Sequence, residues 1–149
     1  MGGIHYQLSF NHNNDNVVSL GQIISLPQET FGAIYILGAV NHGPITTTIV
    51  IVYKDGSETT TVLNIPDWQV RHAQQIERLD ILPCHLNNGF TASLVSIPLL
   101  VDPTKQVAHL VLPYTSRIGS FQPSLHLFGI TALPVNNQVH IVSAKGTRR

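Results

Sequence analysis

Side chains suited to binding a neutral polar ligand lie in three separate segments of the chain. Trp68 is the only tryptophan, and Asp67 directly precedes it. An exposed indole stacks on the apolar face of a sugar ring, while carboxylate, amide and imidazole groups exchange hydrogen bonds with sugar hydroxyls. If the protein binds a ligand, we expect the following residues to contact it: Asp67, Trp68, Asn41, His42, His85, Asn87 and Asn88.

The same residues also have a purely structural interpretation. Trp68 can close one end of a hydrophobic core, and Asp67 can cap a turn or the first turn of a helix. Asn41-His42-Gly43 and Asn87-Asn88-Gly89 are typical turn sequences, because asparagine and glycine tolerate left-handed backbone conformations. The sequence leaves the binding and the structural interpretations both open.

Histidine and cysteine residues offer few signs of catalysis. None of the eight histidines is spaced as His-x-His or His-x-x-x-His, but distant strands can still bring metal ligands together, so metal content stays unknown. Cys84 is followed by His85, and adjacent residues of an extended chain point to opposite faces, so His85 is poorly placed to activate the thiol. We therefore favour a non-catalytic protein with no catalytic residues and no cofactor.

Composition excludes several other functions. The chain has 149 residues, of which 43% are hydrophobic and only 11% charged, and its formal net charge is zero. A protein that binds the phosphate backbone needs a basic surface, so we expect no nucleic-acid partner. The apolar runs fall far short of the ~20 residues of a membrane-spanning helix, so we expect no membrane partner. A single cysteine excludes an internal disulfide.

Turn residues separate many short β-branched and apolar runs, which predicts an all-β fold: an antiparallel β-sandwich or jelly roll with at most one short helix. The clearest local signal is Lys54-Asp55-Gly56-Ser57, because an Asp-Gly pair between two β-branched runs is typical of a hairpin. Only Asp67–Asp80 has a helical period, and it can equally form an irregular loop. The predicted strands are Ile4–Phe10, Gln22–Leu26, Phe31–Val40, Thr46–Tyr53, Glu58–Ile65, Thr91–Val101, Gln106–Leu112, Gln122–Leu133 and Gln138–Val142.

The length predicts one β-sandwich domain over residues 1–149, with disordered ends at residues 1–3 and 144–149. In such a fold, loops on a rigid sheet scaffold are where binding residues usually collect. We expect the ligand at the sandwich end that is formed by the loop after Val40, the segment starting at Asp67 and the Pro83–Gly89 loop.

Seven motifs in a fixed order resemble the β-sandwich accessory domain of large bacterial and fungal glycoside hydrolases, from about residue 4 to about residue 134. The motifs are Asp15-Asn16-Val17-Val18 with Gly21-Gln22, Ile34–Ala39 with Asn41 and Gly43, Val52–Ser57, Pro66-Asp67-Trp68, Val101–Lys105, Val107–Pro113 and Leu125–Ile130. The resemblance implies a galactose-binding-like jelly roll, a carbohydrate partner and a catalytic domain in a longer parent chain.

From the residues and the resemblance together we expect a non-catalytic carbohydrate-binding or accessory module of a glycoside hydrolase. It would be secreted as part of such an enzyme and cytoplasmic otherwise, since no secretory leader is visible in this chain. One alternative is a structural or partner-docking sandwich without a sugar ligand. The other is a small enzyme with a pocket between the sheets, using some of His42, His72, His85, His109 and His126.

Overall fold

A computed structural model of the chain describes residues 4–7, 15–69, 80–85, 89, 91–116, 121–135 and 140–142. These residues contain ten β-strands and no helix. In chain order the strands are β1 (Val17–Val18), β2 (Ile23–Ser25), β3 (Phe31–Asn41), β4 (Ile45–Tyr53), β5 (Glu58–Ile65), β6 (Asp80–His85), β7 (Thr91–Leu99), β8 (Val107–Val111), β9 (Ser124–Pro134) and β10 (His140–Val142).

The strands form two antiparallel sheets. The larger sheet has the order β1-β9-β3-β7-β6, and β10 also pairs with β9. The smaller sheet has the order β2-β8-β4-β5. This arrangement confirms the predicted all-β, antiparallel sandwich. The described part of the chain holds no apolar helix of membrane-spanning length.

One hydrophobic core lies between the two sheets. In β5 buried and exposed residues alternate toward its C-terminal end, as expected for a strand with one face on the core and one on solvent. Burying these side chains removes apolar surface from water, which is the main force that holds the two sheets together. The largest fully buried side chains are Phe31, Ile34, Ile36, Val40, Ile49, Ile51, Leu63, Ile65, Leu110, Leu125, Leu127 and Ile130.

The β4–β5 hairpin forms where the sequence predicts it. Gly56 has a φ of 82°, a left-handed conformation that glycine adopts without a steric penalty. The Asp55 carboxylate accepts hydrogen bonds from the Ser57 hydroxyl at 2.5 Å and from the Ser57 backbone N–H at 2.9 Å. These two bonds, together with Lys105 3.4 Å away, hold the pKa of Asp55 below its usual value.

The N-terminal segment differs from the prediction of a strand over Ile4–Phe10. Residues 4–7 lie in no strand, and residues 8–10 are outside the described residues. The Tyr6 hydroxyl lies 2.5 Å from the Ser96 hydroxyl, and the Thr131 hydroxyl donates to the backbone carbonyl of His5. Ser96 and Thr131 alternate with core residues along β7 and β9, so this segment crosses the outer face of the larger sheet.

Two strands were not predicted. β1 has only two residues, which is too short to show a periodic pattern. β6 includes Pro83, a residue that argues against a central strand because it has no backbone N–H. β6 lies at one end of the described strand order, where a proline is tolerated. The predicted Pro83–Gly89 loop is therefore wrong for Pro83–His85, which belong to β6.

The segment with a helical period lies mostly outside the described residues. Residues 67–69 form a bridge and a turn after β5, and Asp80 begins β6. Residues 70–79 are not among those described.

Candidate ligand-binding site

Two aromatic rings meet where β3 ends and β9 begins. Asn41 is the last residue of β3 and pairs with Ser124, the first residue of β9. His42 follows directly, and Phe121 precedes Ser124 by three residues. The centroids of the His42 and Phe121 rings are 5.6 Å apart at an interplanar angle of 64°, an edge-to-face contact. His42 is exposed, and Phe121 is 82% exposed.

The backbone of both ring residues is strained. His42 has a φ of 61° and Phe121 a φ of 55°, and they are the only non-glycine residues with positive φ in the described part of the chain. A left-handed conformation at such a residue costs on the order of 1–3 kcal/mol and persists only where the surroundings impose it. Strain of this kind collects at binding sites, and an exposed phenylalanine gains nothing from burial in return. The ring pair is therefore the strongest candidate for a site.

The Asp67 carboxylate braces the turn that carries His42. One oxygen, Oδ2, accepts the backbone N–H of Gly43 at 2.5 Å, and Oδ1 accepts the backbone N–H of Gln69 at 2.8 Å. Asp67 also forms a parallel bridge with Val40. The loop after β3 and the segment after β5 are thus joined, as the sequence predicts. Each carboxylate oxygen already accepts one backbone N–H, so Asp67 positions the turn and can offer a ligand only its remaining lone pairs.

The backbone of Trp68 lies between β3 and β7. Its N–H donates to the carbonyl of Val40 at 2.8 Å, and its carbonyl accepts the N–H of Ser93 at 2.8 Å. The indole is partly buried, and Trp68 is not a member of the core cluster. Trp68 therefore has a backbone role at the sandwich end and a side chain that is only partly shielded from solvent.

The Asn41 side chain carries an unsatisfied hydrogen-bond acceptor. Its Oδ1 is buried and accepts no hydrogen bond from the described residues. A buried acceptor without a donor costs about 1–3 kcal/mol, and a water molecule or a ligand hydroxyl would satisfy it. Asn41 directly precedes His42 in the chain, so the residue that carries this acceptor is next to a residue of the ring pair.

His85 lies at the same end but farther from the rings. It pairs with Thr91 at the end of β6, where its exposed ring places Nδ1 3.3 Å from the Thr91 hydroxyl. β7 runs between β6 and the Trp68 backbone, so the structure does not bring His85 against His42. Asn87 and Asn88 lie outside the described residues.

The other histidines are dispersed over the fold. His109 is in β8 of the smaller sheet, His126 is in β9 of the larger sheet, and His72 lies outside the described residues. Within the described ranges, no three histidine, cysteine, aspartate or glutamate side chains lie together in a group that could hold a metal ion. The histidines of the enzyme alternative are therefore not gathered in one pocket there.

His126 belongs to a short chain of polar contacts on the larger sheet. Its Nδ1 lies 3.0 Å from Asn16 Oδ1, and its Nε2 lies 3.4 Å from the Ser124 hydroxyl. A serine, a histidine and an amide in this order suit nucleophilic catalysis, but Ser124 is only 1% exposed and closed to a substrate. The contacts tie the loop before β1 to β9. Burial lowers the pKa of His126, against a smaller opposing effect of Asp15.

Sequence reasoning missed Phe121. The periodic pattern starts its strand at Gln122, and Phe121 stands just outside it, between serine, glutamine and proline residues. The polar neighbours of Phe121 and its position outside any apolar run are the one signal that could have identified this residue as exposed.

A family model described as the AziU2-like beta-sandwich domain matches residues 1–94 of the chain. The match covers Asn41, His42, Asp67 and Trp68, whereas Phe121 lies beyond it. No curated protein matches the chain. The description of the family states the β-sandwich fold and mentions no ligand.

Proposed function

The chain belongs to the AziU2-like β-sandwich domain family. For this β-sandwich we propose the function of a non-catalytic carbohydrate-binding module, an accessory part of a glycoside hydrolase. The observation that carries the proposal is the exposed ring pair of Phe121 and His42, of which His42 lies on a turn that is braced by Asp67. In the parent enzyme, the module would hold the catalytic domain near its substrate.

The chemistry of the site favours a sugar over other ligands. The exposed Phe121 ring offers an apolar face for the C–H groups of a pyranose. Asn41, His42 and Asp67 are joined to the same turn, and their polar groups can exchange hydrogen bonds with hydroxyls. Specific small-ligand sites combine apolar and aromatic surface with a few placed polar groups, and this end of the sandwich has both.

The ligand would bind at little entropic cost to the protein. The backbone on both sides of His42 is held by the pairing of Asn41 with Ser124 and by the hydrogen bond from Gly43 to Asp67. A backbone that is already held in place loses little conformational freedom on binding, which increases affinity.

A glycan array or an affinity gel with the intact chain tests the proposal. We expect retention on at least one neutral glycan, and we expect Phe121→Ala to weaken that binding tenfold or more, about 1.4 kcal/mol. Leu100→Ala is the matched control, because Leu100 is also a large exposed apolar residue (58%) but follows β7 at the opposite end of the sandwich. Retention on no glycan, or equal retention of the Phe121→Ala variant, would refute the proposal.

A further inference from the structure

We infer that the site takes one neutral pyranose at a time, such as the end of a glycan chain or a single side branch, and does not bind a run of consecutive sugars. This inference rests on the proposed function and specifies the class of ligand. The observations that support it are the angle between the two rings, the backbone that holds the two residues next to each other and the charge of the surrounding groups.

Within the described ring pair, the geometry offers one stacking face. A run of sugars lying along a protein surface needs several aromatic faces in similar orientation, one for each sugar that stacks. At 64° the His42 and Phe121 rings meet edge to face, so one ring turns its edge toward the other. The exposed Phe121 ring is then available to a single pyranose. The His42 imidazole would lie beside that sugar and exchange hydrogen bonds with its hydroxyls.

The backbone holds the two ring residues next to each other. Asn41 pairs with Ser124 in the sheet, one residue before His42 and three residues after Phe121. The Gly43 N–H on the other side of His42 donates to the Asp67 carboxylate at 2.5 Å. Both ring residues already occupy left-handed conformations, so few alternative backbone positions are open to them.

The charge near the rings points to a neutral sugar. Asp67 is the one ionisable group besides His42 that the structure joins to this turn by a described hydrogen bond. Its negative charge disfavours a carboxylated sugar such as a uronate, because like charges repel. The unsatisfied Oδ1 of Asn41 accepts hydrogen bonds and so suits a hydroxyl donor.

Isothermal titration calorimetry with the intact chain tests the inference on a matched series of probes. The probes are the methyl β-pyranosides of galactose, glucose, xylose and mannose, the di-, tetra- and hexasaccharides of each sugar, and the methyl glycosides of glucuronate and galacturonate. For the sugar that binds, we expect the Kd of the oligosaccharides to stay within threefold of the Kd of the methyl glycoside. We expect both uronates to bind at least tenfold more weakly than that methyl glycoside.

Three results separate failure of the inference from failure of the proposed function. A Kd that falls tenfold or more between the methyl glycoside and the tetrasaccharide, with loss of binding in Phe121→Ala, would overturn the single-sugar inference and leave the proposed function standing. An equal or tighter Kd for either uronate would overturn the neutral-ligand part in the same way. No heat of binding with any probe would count against the proposed function itself, and the inference would fall with it.

Discussion

Replacing Asp67 by alanine should destabilise the sandwich end and loosen the turn that carries His42. The substitution removes two acceptors at once, because Oδ2 accepts the Gly43 N–H at 2.5 Å and Oδ1 accepts the Gln69 N–H at 2.8 Å. The N–H of Gly43 lies in a partly buried turn, so it loses a partner that water only partly replaces.

The expected size of the effect follows from the number of hydrogen bonds. A hydrogen bond to an ionised group contributes about 1.5–3 kcal/mol, and the low end applies here because Asp67 is only partly buried. Asp67→Ala should therefore lower the free energy of unfolding by about 2 kcal/mol, most of it from the part-buried Gly43 bond, because the Gln69 bond is exposed and contributes less. Asp67→Asn keeps one acceptor oxygen and should lower it by about half as much, roughly 1 kcal/mol.

Urea unfolding measures both variants, with the fluorescence of the single tryptophan and far-ultraviolet circular dichroism as two probes. Asp55→Ala is the control, since Asp55 also accepts two hydrogen bonds from a residue two positions on but is fully exposed in a hairpin turn. The control should lose less stability than Asp67→Ala. An Asp67→Ala variant within about 0.5 kcal/mol of the wild type would show that the carboxylate does not brace this turn.

Three further substitutions test the fold. A Cβ added at Gly38 would lie 3.0 Å from the backbone carbonyl oxygen of His126. Gly38→Ala should therefore lower the free energy of unfolding by about 1–3 kcal/mol in urea titrations. An unchanged free energy of unfolding would mean that β9 moves aside easily. A Cβ at Gly56 meets no atom within 4 Å, but the residue must hold a φ of 82°. Gly56→Val should therefore lower the free energy of unfolding by about 1–3 kcal/mol and lower the thermal midpoint with it, and an unchanged midpoint would contradict the turn. Burial lowers the pKa of His126 in the folded state below its unfolded value near 6.5, so the unfolded chain binds more protons and stability falls as pH drops below 6.5. His126→Asn should flatten this slope in unfolding measured from pH 7.5 to pH 5, and an unchanged slope would assign it to other groups.

Local sequence chemistry was sufficient to predict most of the larger strands. The runs Thr46–Tyr53 and Glu58–Ile65 are rich in β-branched residues and flank an Asp-Gly turn, so the two strands and the hairpin follow from neighbouring residues alone. β3 and β9 could be predicted because strands buried on one face and largely covered on the other are long and apolar.

Other elements depend on contacts that are distant in the sequence. The strand β6 pairs with β7 despite Pro83, and only its place at one end of the described strand order explains why proline is tolerated. The predicted strand at Ile4–Phe10 failed over residues 4–7 because Tyr6 finds its partner, Ser96, on the outer face of the sheet. The alternating pattern there reflects packing on a face and not strand pairing.

Only part of the candidate site could be predicted from the sequence. Asp67 and Asn41 drew attention through their residue types, and the bridge between Val40 and Asp67 does bring their segments together. Phe121 became a candidate only through its exposure, its left-handed backbone and its contact with His42, none of which a single sequence displays. Trp68 is the opposite case. Its indole suggested a role in ligand binding, whereas its hydrogen bonds to Val40 and Ser93 are made by the backbone and do not depend on the indole.

The most direct test of the central claim is a ¹H–¹⁵N NMR titration of the intact chain with the neutral glycan that an array retains most strongly. We expect the largest shift changes at the backbone amides of His42, Gly43 and Gln122, which flank the ring pair, and smaller changes at His109 in β8 of the other sheet. Saturable changes at these amides that disappear in Phe121→Ala would support a sugar site at the ring pair. Changes centred on β8, or no changes at saturating glycan, would contradict it.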